Sequence, residues 1–148
     1  MEPLADDKFW KSIGLIEGTG WSDAKTDLAP LVYFLSKQTD NTIFSFEEAL
    51  SRKVHALDTR KHYRRMCGFF PGQADTFLYK RLAVVAQGER VFEAILTSPK
   101  RYMRWPTDWL EQLLYTAREA YELKHGTEMP FSATVSVESF ENESGWRS

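Results

Sequence analysis

The chain has 148 residues, 43% hydrophobic and 27% charged, with a formal net charge of −2, a composition that fits one globular domain able to bury a core without disulfide staples. A single cysteine, Cys67, excludes an internal disulfide and fits a reducing compartment. No apolar run approaches the ~18 residues of a membrane span, and the opening MEPLADDKFW lacks the basic start and apolar centre of a signal peptide, so a cytoplasmic protein with no membrane partner is expected.

The first helix is predicted over Lys8 to Ile16, with Phe9, Trp10, Ile13 and Ile16 on its apolar side. Gly14 weakens it, so packing must hold it. After a loop at Gly18-Thr19-Gly20, a second helix places Leu28, Leu31, Val32 and Leu35 on one face. Pro30 belongs near a helix start, which sets its beginning at Thr26 or Asp27. A third helix starts near Asp40 or near Ser45, where Ser45-Phe46-Glu47-Glu48 fits a capping box; Phe46, Leu50, Val54 and Leu57 form its stripe. The stretch Asp58 to Met66 either continues it or restarts as a strongly basic helix. Residues 67 to 74, with Gly68, Pro71 and Gly72, read as a loop whose Phe69-Phe70 pair tucks inward.

The centre of the chain is Asp75 to Leu96. Phe77, Leu78, Leu82 and Val85, then Val91, Phe92, Ile95 and Leu96, recur at helical spacing on either side of Gly88. This predicts a buried hairpin of two helices, with Asp75 as N-cap and Gly88 in a left-handed conformation at the break. Ser98-Pro99 ends it, and Lys100 to Trp105 is a basic-aromatic connector. A last helix opens at Thr107 or Asp108, carries Trp109, Leu110, Leu113, Leu114, Ala117, Ala120 and Tyr121, and closes at Gly126. Beyond it, Ala133, Val135 and Val137 alternate, predicting an edge strand or an extended arm. The expected architecture is all-α: a helical domain over residues 1–127 of about six or seven helices, then an acidic, aromatic tail over 128–148 with one short strand as the open alternative.

Phe77-x-Tyr79-x-Arg81, Gly88, Val91-Phe92 and Ser98-Pro99 follow Phe9-Trp10-x-x-Ile13. They precede Leu113-Leu114-Tyr115-x-Ala117 and Ala120-Tyr121-Glu122 running to Gly126. In this order, over roughly Lys8 to Thr127, the chain resembles the bacterial domain of unknown function family 4240 (DUF4240). The resemblance implies a compact helical bacterial domain and brings no activity with it. The chain has Ala83 where the family carries Trp.

Function is therefore read from residues. The near-neutral balance hides segregation: residues 1–48 carry four Lys/Arg against nine Asp/Glu, residues 49–104 twelve against four, and residues 105–148 three against eight. Either the basic middle is compensated internally by the acidic ends, or it faces a partner. The sharpest cluster is Arg60, Lys61, Arg64 and Arg65, joined by Arg101 and Arg104 in the connector. Guanidinium forks suit carboxylates or phosphates, and Tyr63, Tyr102 and Trp105 offer rings for stacking; a solvated helix end is the plain alternative. In the tail, Glu138, Glu141 and Glu143 flank Phe140 and Trp146, so the segment either folds back on the basic middle or docks elsewhere through Trp146.

Asp75, Tyr79 and Arg81 are the polar members of the hairpin's first helix and form a possible cleft, although Arg81 lies off the shared face. The structural reading makes Asp75 a cap and pairs Arg81 with a carboxylate. His55, Asp58 and His62 share a helical face if the helix is unbroken, but with no fourth ligand no metal is implied. Cys67 lacks an orienting base. Gly14, Gly18 and Gly20 have no Lys-Ser/Thr beside them to make a phosphate loop. With no catalytic constellation and no cofactor motif, the expected function is a non-enzymatic bacterial binding protein. Its narrower form is an immunity- or antitoxin-like factor that neutralises a partner protein, such as a toxin, by charge and shape. A nucleic-acid-binding module using the basic middle, and an unrecognised enzyme at Asp75, Tyr79 and Arg81, are the alternatives.

Overall fold

The computed structural model describes residues 1–17, 24–103 and 110–147. The protein is all-α. Its elements are α1 (Asp6–Ile13), α2 (Ala24–Ser36), α3 (Asp40–Ala56), α4 (Arg60–Cys67), α5 (Ala74–Ala86), α6 (Glu89–Thr97), a 3-10 turn (Pro99–Arg101), α7 (Glu111–Leu114), α8 (Thr116–His125) and α9 (Glu143–Arg147). No strand occurs among the described residues.

The hairpin is where the periodicity put it. Phe77, Leu82, Val84 and Val85 on α5 are wholly buried, and Phe92 and Ile95 anchor α6, while Val91 and Leu96 are half-buried. Gly88 joins the two at φ +102°, ψ 175°, a region essentially reserved for glycine; it is the N-cap of α6 and not a left-handed C-cap. Burial of α5 extends around its circumference and takes in Lys80 and Arg81. The Lys80 ammonium donates to the Met66 carbonyl at 2.9 Å.

Several boundaries differ from the sequence reading. Gln73 caps α5, and Asp75 sits inside the first turn, where a negative charge complements the helix dipole. The N-cap of α3 is Thr39, whose Oγ1 accepts from Thr42 N at 3.2 Å. Ser45 is therefore no cap, and Ser45, Glu47 and Glu48 are buried inside the helix. Starting at Ala24, α2 encloses Pro30 beyond its first turn, and the lost main-chain bond is offset by the burial of Leu28, Leu31 and Leu35. A new helix, α4, begins at Arg60, capped by Thr59. The last helical run breaks at Tyr115 into α7 and α8, and Gly126 ends α8 in the left-handed conformation at φ 72°. The predicted opening of that run at Thr107 or Asp108, and the loop at Gly18-Thr19-Gly20, lie outside the described residues.

Phe69 and Phe70 do not tuck inward; they are 87% and 73% exposed. Positive φ angles at Gly68 and Gly72 turn the loop outward. The Tyr63 hydroxyl, donating to the Phe70 carbonyl, pins the backbone there. The space the two rings were expected to fill is taken by Tyr63, Phe77 and Trp146, stacked in edge-on and tilted pairs.

The segment after Gly126 crosses the body as an extended arm. From 131 to 140, half-buried and exposed residues alternate, yet the arm pairs with side chains of α3 and α5 instead of a neighbouring strand. Thr134 donates N–H and Oγ1 to Glu48 at 2.9 and 2.5 Å. His55 Nδ1 donates to the Ser136 carbonyl at 2.8 Å. The buried Arg81 guanidinium donates to the Val54 and Val137 carbonyls at 3.0 Å each and to Ser139 Oγ at 2.9 Å.

The arm then wraps around Asp58. The Asp58 carboxylate, wholly buried, accepts from three successive backbone N–H groups, those of Phe140, Glu141 and Asn142, at 2.8 to 2.9 Å. It also accepts from the Trp146 indole at 2.8 Å. Such a run of N–H groups is an anion nest, here filled by a side chain of the same molecule. Gly145 lies so close that a Cβ would stand 2.7 Å from the Asp58 carbonyl oxygen. Gly145→Ala is accordingly expected to lift the terminal turn and lower stability by about 1–3 kcal/mol, read as a fall of several degrees in Tm. An unchanged Tm would mean that the turn accommodates the methyl by sliding.

Candidate functional site

Helix α4 sorts its residues by face. His62, Tyr63 and Met66 point inward and are buried, while Arg60, Lys61, Arg64 and Arg65 point outward and are exposed. At 3.6 residues per turn this two-in, two-out spacing gives one apolar and one cationic side. The inward His62 locks the helix to α6: Nε2 donates to the Ile95 carbonyl at 2.8 Å, and Nδ1 accepts from the Thr59 hydroxyl at 2.6 Å. Burial holds this imidazole below the usual histidine range, consistent with the neutral form that both bonds require.

The outward cations face the 3-10 turn. Arg65 bridges the two by donating Nε and Nη2 to the Tyr102 carbonyl at 3.2 and 3.0 Å. Between them lies a depression of about 600 Å³, with Lys61, Arg64 and Arg65 on one wall and Thr97, Ser98 and Lys100 on the other. Arg64 and Arg65 also line a second depression of about 390 Å³ that reaches Cys67 and Phe70. A third, of about 250 Å³, is bounded by Arg60, Tyr63, Arg64, Phe69 and Trp146. Among the described residues, no carboxylate lines any of the three.

Among the described residues, Arg60, Lys61, Arg64, Arg65, Lys100 and Arg101 form no salt bridge, whereas Arg52, Lys53, Lys124 and Arg147 each hold a carboxylate. Arg60 donates instead to the Trp146 carbonyl at 2.8 Å, and the Arg64 guanidinium sits 5.8 Å from the Phe69 ring centre. Arg104 and Trp105 lie outside the described residues. Trp146 is half-buried and committed within the chain by its indole bond to Asp58, so it offers the cationic face an edge only.

A family model described as a protein of unknown function (DUF4240) matches residues 4–123. The chain belongs to that family. No curated protein and no solved structure matches it. In this DUF4240 protein the matched segment contains α4, the 3-10 turn and the unpaired cations Arg60, Lys61, Arg64, Arg65, Lys100 and Arg101, and ends before the arm.

Asp75 and Tyr79 share a side of α5, and Arg81 turns away from them into the interior. Asp75 is exposed and Tyr79 half-buried, its phenol pushed up by burial and by the carboxylates of Glu111 and Asp75. Arg81 is wholly buried against main-chain oxygens and Ser139. Burial pulls its guanidinium down to about 10; it carries its charge at neutral pH and, among the described residues, lacks the direct carboxylate pair expected of it. His55, Asp58 and His62 each serve a different intramolecular bond, and no group of three potential metal ligands occurs among the described residues. No helix among them is long and apolar enough to cross a membrane.

The sequence reading marked Lys100 as part of a basic connector but did not place it, with Thr97 and Ser98, as a second wall opposite α4. That wall is tied to α4 by the long-range bonds of His62 to the Ile95 carbonyl and of Arg65 to the Tyr102 carbonyl, which leave no local signature.

Proposed function

We propose that this DUF4240 protein is a non-enzymatic binding protein and that the outward side of α4, with Lys100 and Arg101, is the surface that engages a partner protein. One observation carries the reading: five cations, Arg60, Lys61, Arg64, Arg65 and Lys100, line adjoining depressions, and neither they nor Arg101 next to Lys100 form a salt bridge among the described residues. Crowding like charges destabilises the free protein through self-repulsion, and an acidic surface relieves it. Phe69 and Phe70 at the rim add exposed apolar area of the kind that interface cores use. Neutralisation of an acidic partner by an immunity- or antitoxin-like factor is the specific form proposed, since opposed charge accelerates association and discriminates among partners.

The test is capture from the soluble proteins of the native host by immobilised wild type and by the double variant Lys61→Glu, Arg64→Glu. An acidic protein retained at low salt, released as salt rises and lost at least about tenfold by the reversal is the expected outcome. Both side chains are exposed, so folding is expected to change by less than about 0.5 kcal/mol. Equal capture by the two proteins would refute the assignment of the face.

A second reading, nucleic-acid binding, is favoured by the two exposed rings at the end of the basic run, an arrangement that suits base stacking beside a phosphate track. Its signature is an oligonucleotide shift at low salt that weakens steeply with ionic strength. The absence of such a shift leaves the protein-partner reading standing alone.

A further inference from the structure

We infer that the furrow formed by α3, α4 and α5 is a peptide-binding site, filled in this structure by the chain's own residues 129–146 and able to exchange them for a free peptide of the same chemistry. The receiving groups are Glu48, His55, Asp58 and Arg81, all inside the family segment, while the occupant lies wholly outside it. What they read is mostly main chain: an N–H at 134, carbonyls at 136 and 137, and three successive N–H groups at 140–142. This is how extended peptides are commonly held, with the backbone supplying affinity and a few side chains supplying selectivity. Those side chains here are Met129, Phe131 stacked 5.2 Å from Phe44, and Trp146 among Tyr63, Phe77 and Phe140.

Three features make the docking reversible. Of the arm's residues only Met129 is buried, and Phe140 remains 46% exposed, so most of the arm's side chains keep part of their surface in water while docked. The three charged receivers regain hydration when the arm leaves, which removes the penalty that strands a buried charge. Phe140 holds φ at 75°, a conformation that a bulky side chain rarely adopts and that undocking relaxes. Gly126, Thr127 and Glu128, all exposed, supply the hinge. The ligand class follows: an extended peptide that ends in a turn offering three consecutive N–H groups and an indole.

The experiment uses the full chain with a protease recognition sequence inserted between Gly126 and Thr127, cut after folding, and a fluorescein-labelled synthetic peptide of residues 128–148. The cut body is expected to keep its cooperative helical melt and to take up the labelled peptide saturably, seen as a rise in anisotropy. A peptide with Trp146→Ala is expected to compete at least about tenfold more weakly. So is one N-methylated at Glu141, which lacks one of the Asp58 donors. Both changes are in the peptide, so neither disturbs the folding of the body. Loss of the cooperative melt on cutting would overturn the proposal, as would failure of the labelled peptide to enter or equal competition by the altered peptides. None of these readings involves a partner, so they stand or fall apart from the role of the α4 cations.

Discussion

Asp58→Ala is expected to lower the free energy of unfolding by about 3 kcal/mol and to leave the arm from Thr127 onward open to protease. The carboxylate is wholly buried and gathers four N–H donors, three from consecutive peptide groups and one from the Trp146 indole. Removing one side of a buried charged network costs about 3–5 kcal/mol when the remaining groups stay dry. Here the arm can lift and let water reach the donors, which places the expectation at the lower end. Asp58→Asn should be nearly as damaging, because an amide brings its own donors to a site that already holds four and keeps a single acceptor oxygen. Urea unfolding gives the energy, and timed proteolysis followed by mass spectrometry locates the cut. A loss under about 0.5 kcal/mol with an arm that stays protected would show that the ring cluster around Trp146, and not the carboxylate, holds the segment.

That prediction could not have been written from the sequence, and the reason is physical. Apolar spacing is a local signal, so Phe77, Leu82 and Val85 announced α5, and Phe92 and Ile95 announced α6. The inward and outward sides of α4 follow from the same spacing, which is why Arg60, Lys61, Arg64 and Arg65 were legible as one face. Acids that are buried because something distant satisfies them carry no such signal. Glu48 depends on Thr134, and Asp58 on residues 140–146, contacts that span more than eighty positions. The alternation at Ala133, Val135 and Val137 was read correctly as extended backbone, but period two does not say whether the neighbour is a strand or a row of helix side chains. Phe69 and Phe70 were misplaced for the opposite reason. Their hydrophobicity argued for burial, and the space was already filled by Tyr63, Phe77 and a tryptophan from the far end of the chain.

Glu47→Gln is expected to stabilise the protein by up to about 3 kcal/mol above pH 7 and to have little effect near pH 4. Glu47 lies on α3, 4% exposed, and its Oε2 has no hydrogen-bond partner among the described residues. Burial raises its carboxyl to about 7, against a partial opposing pull from Arg118, while the neighbouring Glu48 charge adds to the rise. The raised value means that the folded state holds the proton more tightly than the unfolded chain does. Stability is therefore greatest where the group is protonated in both states, near pH 4. It declines as pH rises from the ordinary carboxylate value of 4.5 towards 7, and above that the full cost of the buried charge is present. At about 1.4 kcal/mol per unit, a rise of this size amounts to roughly 3 kcal/mol. Glutamine keeps the shape and removes the charge, so in the variant this part of the decline with pH should vanish. Melting temperatures of both proteins between pH 4 and 8 read the effect directly. Parallel curves would mean that water or Arg118 already neutralises the site, whereas curves that meet at low pH and separate through neutrality identify Glu47 as a buried carboxyl that helix α3 accommodates comfortably only with its proton.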